Sequence, residues 1–314
     1  MKKNDLIECH NRIKPFIYNT PVLCSRLINE MIGSDIFFKC DNFQKMGAFK
    51  MRGATNAILQ LSEEQRRKGV VTHSSGNFAQ ALSLAAKSIG MKAYIVMPST
   101  ATEVKKRAVK GYMGELIECD ANLKAREEAA KKIEKEKGAT FIHPSNDIDV
   151  IIGQGTACKE LLEEHDDLDY VFVPIGGGGL IAGSALAARY FSKNCTIIGS
   201  EPFEVDDAYR SLKSGRIETN KTTNTIADGL KTQLGDKNFP IIKKYINKII
   251  RVEENEIIES MKIIWERLKI ICEPSCAVPL AAIIKEKKYY KNKKIGVIIS
   301  GGNVDLNNLP FFKR

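Results

Sequence analysis

Tyr170–Gly183 reads YVFVPIGGGGLIAG, and the order of residue types in it decides the architecture. The opening YVFVP is a short apolar run, rich in aromatic and β-branched residues, of the kind that fills a strand buried on both faces. Four consecutive glycines follow, and then LIAGSALAARYF, which has helical length and composition. A strand that passes through a side-chain-free loop into a helix is one half of a βαβ unit. Nothing shields the backbone of such a loop, so successive N–H groups can close around a phosphate lying on the positive end of the helix. The same residues admit a dinucleotide reading, because Gly177, Gly179 and Ala182 satisfy G-x-G-x-x-A and Glu201 ends the next strand about where a ribose ligand is expected.

On both sides of this stretch the rhythm repeats. GVVTHS precedes NFAQALSLAAKSIG, KAYIVMP precedes ATEVKKRAVKGYMG, and ELIECD precedes LKAREEAAKKIEKEKG, while CTIIGSEP and KIGVIISGGN follow later. Such alternation predicts an α/β fold with a mainly parallel sheet covered by helices on both faces. No Gly/Ser/Pro-rich linker divides the chain, and no repeat interrupts it, so sub-domains have to arise from topology. Ligands in such folds gather beyond the carboxyl ends of strands, where SSGNFAQ from Ser74, GGGGL from Gly176 and SGGN from Ser300 bring small residues and bare backbone together.

The bulk composition narrows the function classes. With 314 residues, 43% hydrophobic and 27% charged, the chain can bury a substantial core. Its net charge of +10 invites nucleic acid, and KEKKYYKNKK from Lys285 interleaves tyrosine with lysine. That segment lies between an apolar helix, AVPLAAII, and a strand, IGVIIS, so a solvated helix end explains it and no nucleic-acid partner is expected. Neither a leader pattern nor an apolar run of about 18 residues is present, which predicts a cytoplasmic protein with no membrane partner. The eight cysteines are scattered without a Cys-x-x-Cys pair, and CEPSC from Cys272 lacks further zinc ligands, so reduced, structural thiols are expected.

FQKMGAFKMRGA, SSGNFAQAL, GQGT, VPIGGGGLIAG, IADG, EPSC and SGGNVD occur in the order and approximate spacing of the fold-type II pyridoxal-phosphate (PLP) enzymes. The chain resembles that family over nearly its whole length, and within it the group of serine racemases and serine, threonine and hydroxyaspartate dehydratases. The resemblance implies a tryptophan synthase β-like fold of two three-layer αβα domains with mainly parallel sheets. It places residues 1–64 and 148–314 in a discontinuous large domain and 65–147 in a small mobile one. No C-terminal regulatory domain is expected so soon after SGGNVD.

Roles for individual residues follow from the same resemblance. Lys50 would carry the cofactor aldehyde as a Schiff base and serve as the base at the substrate Cα. Phe49 would lie against the ring, Asn77 would bond the ring hydroxyl, and Ser300 would meet the ring nitrogen as a neutral partner, making the ring a milder electron sink. Gly176, Gly177, Gly178 and Gly179, with Leu180, would hold the phosphate. Ser75 would work on the face opposite Lys50, which permits racemisation. Ser74, Ser75, Gly76 and Asn77 would form the substrate loop, with Arg126 approaching the substrate carboxylate on closure and Thr232 as a further contact. Phe78 stands where the family often has histidine, Ser145 where it has asparagine, and HPSNDID lacks the serine triplet of aspartate-racemising relatives.

Glu201, Asp207 and the carbonyl of Val205 coincide with the family's ligands for Mg²⁺ (or Mn²⁺ or Ca²⁺), a hard cation suited to oxygen donors. The two acids also suit a bland role as negative charges at a helix N-terminus. Lys45, Gln80 and Tyr112 match part of a nucleotide effector site between subunits, which makes ATP a possible effector. The expected protein is a homodimer acting on a small hydroxy amino acid. Its expected activity is serine racemisation with accompanying dehydration to pyruvate and ammonia, the alternative being an ammonia-lyase for L-serine, L-threonine or threo-3-hydroxyaspartate without significant racemisation.

Overall fold

The computed structural model describes residues 1–312, in which apolar runs pair into two sheets. Ten strands contribute: β1 (Val22–Leu23), β2 (Asp35–Cys40), β3 (Val70–His73), β4 (Ala93–Pro98), β5 (Glu115–Cys119), β6 (Thr140–Phe141), β7 (Tyr170–Pro174), β8 (Thr196–Pro202), β9 (Ile249–Val252) and β10 (Lys294–Ile299). The six-stranded sheet has the order β1-β2-β10-β7-β8-β9, and the four-stranded sheet the order β5-β4-β3-β6. Every pairing is parallel except β1 with β2. The second sheet is drawn entirely from residues 70–141, between β2 and β7 of the first.

The α/β class expected from the alternating pattern is what forms, and the strands read from GVVTHS, KAYIVMP, ELIECD, YVFVP, CTIIGSEP and KIGVIIS are β3, β4, β5, β7, β8 and β10. Val171, Phe172 and Val173 in β7 and Ile295, Val297, Ile298 and Ile299 in β10 are fully buried, as parallel strands covered on both faces require. Four strands have no counterpart in the sequence reading. β1 and β6 are two residues long and carry no period; β9 is a short IIRV edge; β2, DIFFKC, hides its character behind Lys39.

Three helices carry the cleft, and glycines set their spacing. Helix Ile148–Glu164, which contains GQGT, lies against helix Lys50–Leu59 and helix Gly179–Phe191. A Cβ on Gly153 would stand 2.7 Å from the carbonyl oxygen of Arg52, and one on Gly183 would stand 2.3 Å from that of Ile151. Backbone therefore packs directly on backbone, so the start of the lysine helix and the start of the glycine-loop helix are held in fixed relation.

Candidate active site

Lys50 opens its helix in a segment stitched to the loop after β10. Phe49 N–H donates to the Ser300 carbonyl (2.9 Å), Gly302 N–H donates to the Gly47 carbonyl (2.9 Å), and Ala48 forms an antiparallel bridge with Gly301. Below it, Arg52 Nε donates to Asp41 Oδ2 (2.6 Å), Nη2 to Asp41 Oδ1 (2.9 Å), Nη1 to Glu160 Oε1 (2.7 Å) and Nη2 to Glu160 Oε2 (2.8 Å). This buried clamp fixes the first turn. The Lys50 amine points away from it, donating to the Pro144 carbonyl (2.7 Å) and standing 4.9 Å from the Phe49 ring centroid. Burial holds its pKa down to about 7, with Glu273 opposing the shift only in part. Near neutrality a large share of the amine is therefore uncharged and nucleophilic.

The glycine loop supplies the opposite kind of group. Gly176, Gly177, Gly178 and Gly179 are buried at the end of β7, and the helix they lead into has no side-chain cap. Among the described residues the N–H groups of Gly176 through Ile181 find no acceptor; the first amide of the helix to do so is that of Ala182, which donates to the Gly178 carbonyl. Buried amides are normally paired, so an unpaired run on a helix N-terminus is a site for an anion. Side chains crowd the loop closely. A Cβ on Gly177 would stand 2.3 Å from Ser145 Oγ and 3.0 Å from Thr232 Oγ1, and Gly178 has φ +78°. Asn238 Nδ2 ties the loop down by donating to the carbonyls of Gly177 (2.8 Å) and Ser145 (3.1 Å).

A second run of free amides follows β3. Ser75, Asn77, Phe78 and Ala79 have no backbone acceptor among the described residues, and Gly76 N–H reaches only Ser74 Oγ, at 3.4 Å. The helix Asn77–Ser88 that starts there also lacks a side-chain cap, and a Cβ on Gly76 would meet nothing within 4 Å. The Asn77 amide is held from both ends: Nδ2 donates to both carboxylate oxygens of Glu273 (3.0 Å each), and Oδ1 accepts from Asn303 Nδ2 (2.9 Å). Ser300 Oγ lies 3.3 Å from the sulfur of Cys276. Loops that are far apart in sequence thus converge around the Lys50 amine.

Other side chains named from the sequence lie differently. Arg126 donates from Nε to its own helix at Asn122 O (3.4 Å); burial first, and then the Arg126 charge, lowers the pKa of His73, whose position precedes Ser74. Thr232 leans over Gly177, and Ser145 lies beside the same glycine. Glu201 is fully buried and caps helix Asp207–Ser214, with Oε1 accepting from Ala208 N–H (3.0 Å) and Oε2 from Tyr209 N–H (2.8 Å). A carboxylate so placed does not serve a ribose. Asp207 accepts from Leu234 N–H (3.0 Å) and Asn220 Nδ2 (2.8 Å). Burial first, with the Asp207 charge adding to it, pushes the Glu201 pKa well above the ordinary carboxylate range, and burial takes Asp207 to about 6. Among the described residues no group of three or more His, Cys, Asp or Glu could hold a metal ion.

The sequence reading missed several contributors. Glu273, buried and raised to about 7 by desolvation and by Asp228, was visible only as the acid of CEPSC. His143 in HPSNDID is held down to about 4 by burial, then by His73 and Lys50, and its Nδ1 accepts from Asn146 N–H (2.8 Å) and Ser145 N–H (3.2 Å). Gln154 of GQGT shares the Pro144 carbonyl with Lys50 (3.3 Å) and leaves Oε1 without a donor.

An amine of depressed pKa, bonded to the Pro144 carbonyl, and two runs of unpaired amides are a set of groups that fits a phosphorylated aldehyde. The family described as "Pyridoxal-phosphate dependent enzyme" matches residues 13–301, and the chain belongs to it. Its relatives include the serine racemase of Dictyostelium discoideum, 49% identical over 309 residues that make up 97% of this chain and 95% of that one. The beta-hydroxyaspartate dehydratase of Paracoccus denitrificans (strain Pd 1222) is 47% identical over 307 residues, 98% of each chain. Among solved structures, that of the Dictyostelium discoideum serine racemase superposes with a TM-score of 0.93 at 48% identity, covering 98% of this chain and 99% of that one.

Proposed function

We propose that the protein racemises serine and, in the same cleft, eliminates water from it to give pyruvate and ammonia. The observation that carries this reading is the pairing of a depressed-pKa amine at Lys50 with the unpaired amides of Gly176–Ile181, which together fit the aldehyde and phosphate of pyridoxal phosphate. When bound, that group supplies an electron-accepting ring conjugated to the substrate amine, which acidifies the Cα–H. The amides of Ser75, Asn77, Phe78 and Ala79 hold the substrate carboxylate, with Arg126 and Thr232 as further contacts on closure. Lys50 takes the Cα proton on one face and the Ser75 hydroxyl returns one on the other. Phe49 covers the ring, Asn77 meets its hydroxyl and Ser300 its nitrogen.

A second reading has support from the dehydratase relative: an ammonia-lyase for serine, threonine or threo-3-hydroxyaspartate that does not racemise. Both are tested together by incubating the purified protein with L-serine, D-serine, L-threonine and threo-3-hydroxyaspartate while following keto acid and enantiomer. Racemisation of serine that disappears in Ser75→Ala, with elimination from one enantiomer surviving, supports the first; keto acid without inversion in the wild type establishes the second.

The lobe around residues 65–147 is inferred to close on the part made of 1–64 and 148–314, shutting out water. At Glu201, Asp207 and the Val205 carbonyl, two adjacent buried carboxylates repel one another, and each oxygen keeps a lone pair after accepting one N–H. A Mg²⁺-type cation would relieve that repulsion, and chelation is then expected to lower the melting temperature by a few degrees. A cytoplasmic homodimer, with ATP as effector through Lys45, Gln80 and Tyr112, completes the reading; no helix among the described residues is long and apolar enough to cross a membrane.

A further inference from the structure

Asn238 stands just before helix Phe239–Tyr245 and is fully buried, and its side chain joins three loops. Nδ2 donates to the Gly177 carbonyl (2.8 Å) and to the Ser145 carbonyl (3.1 Å), while Oδ1 accepts from Gly235 N–H (3.1 Å). The partners fix which way the amide faces. Two carbonyls can only accept and a backbone N–H can only donate, so the reversed amide would lose all three bonds.

The peptide between Gly177 and Gly178 is where this matters. In a trans peptide the carbonyl and the following N–H point in opposite directions, so a carbonyl held by Asn238 sends the Gly178 N–H away from it. The Ser145–Asn146 peptide, held by the same amide, shows the consequence: its N–H reaches His143 Nδ1 (2.8 Å). Among the described residues Gly178 N–H has no such partner and belongs to the unpaired run. Neither glycine has a side chain to resist rotation of their shared peptide, and Gly178 already sits at φ +78°. Flipped over, that peptide would present a carbonyl oxygen to an anion.

We propose that Asn238 is a positioning residue for the cofactor phosphate: it locks the Gly177–Gly178 peptide with its N–H turned toward the phosphate and its carbonyl turned away. The inference rests on the reading above, in which the glycine loop holds that phosphate. The lock also reaches the reactive amine, since Ser145 follows Pro144, whose carbonyl accepts from Lys50. One side chain thereby sets the cradle against the segment that holds the amine.

The test is Asn238→Leu, which keeps the bulk and adds no charge that would repel phosphate by itself. Cofactor-free wild type and variant are titrated, by visible absorbance, with pyridoxal phosphate and with pyridoxal, which has the aldehyde but no phosphate. Pyridoxal phosphate is expected to bind the variant about thirtyfold more weakly, the worth of one hydrogen bond to a charged group, whereas pyridoxal binds both proteins alike. An equal loss for both ligands, or no loss for either, overturns the role of Asn238 and leaves the cofactor reading standing. A structure of the wild-type holoenzyme decides even if the variant does not fold. Gly178 N–H within hydrogen-bond distance of a phosphate oxygen supports the lock, and a Gly178 N–H facing elsewhere overturns it. A wild type that binds neither ligand and shows no visible absorbance overturns the cofactor reading and this inference with it.

Discussion

Lys50 and Arg52 sit two residues apart on one helix, the first half-buried and the second fully buried, yet they end in opposite states. Lys50 donates to a single neutral carbonyl, and its pKa falls to about 7. Arg52 is wrapped by the carboxylates of Asp41 and Glu160, which raise its pKa above the ordinary arginine value despite complete burial. Desolvation pushes both cations toward neutrality; the partners decide whether it succeeds. One side of the helix thereby becomes a rigid foundation and the other a reactive amine, and each depends on the other side differing.

Substitutions can break this contrast at either end. Lys50→Ala is expected to abolish racemisation, elimination and the visible absorbance of bound cofactor while the cofactor-free protein still folds; retained turnover would remove the reactive end. Arg52→Leu strands Asp41 and Glu160 without their shared counter-charge, and a loss of ~3–5 kcal/mol is expected in urea unfolding. A stability near wild type would show that Lys39, whose amine is 2.7 Å from Glu160 Oε2, suffices to hold the foundation. Gly177→Ala tests the cradle that faces the amine: its Cβ would collide with Ser145 Oγ, and cofactor affinity measured by titration should fall about tenfold or more with the fold intact.

The smallest effect sharpens the comparison most. An amine whose folded pKa is about 7, against an ordinary value of 10.5, weakens the folded state whenever it is charged there. The penalty is fully present below about pH 7 and fades as pH rises from there toward 10.5, because the unfolded chain binds the extra proton in that window. In the cofactor-free protein Lys50→Met is therefore expected to melt higher than wild type at pH 6, by about 2–4 °C, with the gap narrowing toward pH 10. A gap independent of pH would mean that the amine is not desolvated.

The parts legible in the sequence were those whose physics is local. The passage from an apolar strand through bare glycines into a helix is written in consecutive residues, and the run of unpaired amides at Gly176–Ile181 follows from it. Lys50, Asn77 and Ser300 stand out in their motifs, and the segments that carry them come together in the structure. Glu273, Pro144 and Asn238 do not stand out, because each acts through a loop far away: Asn77 and Glu273 are 196 residues apart, Lys50 and Pro144 are 94 apart. Glu201 carried several readings in sequence, and its bonds to Ala208 and Tyr209 commit it to the start of helix Asp207–Ser214. β2 escaped notice because Lys39 breaks its apolar run, and the buried Glu160 together with the Thr20 carbonyl explains why a lysine is tolerated there.

The order β1-β2-β10-β7-β8-β9 puts β10, the most C-terminal strand among the described residues, in the middle of the larger sheet, between partners that leave the ribosome far earlier. The four-stranded sheet has no such wait, since its strands emerge one after another within residues 70–141. During synthesis β2 and β7 each present an open parallel edge until Lys294–Ile299 arrives to pair with both, which is the interval in which a nascent chain invites wrong partners. The loop that ends this strand also carries Ser300, so birth of the catalytic cleft and sealing of the scaffold are a single event.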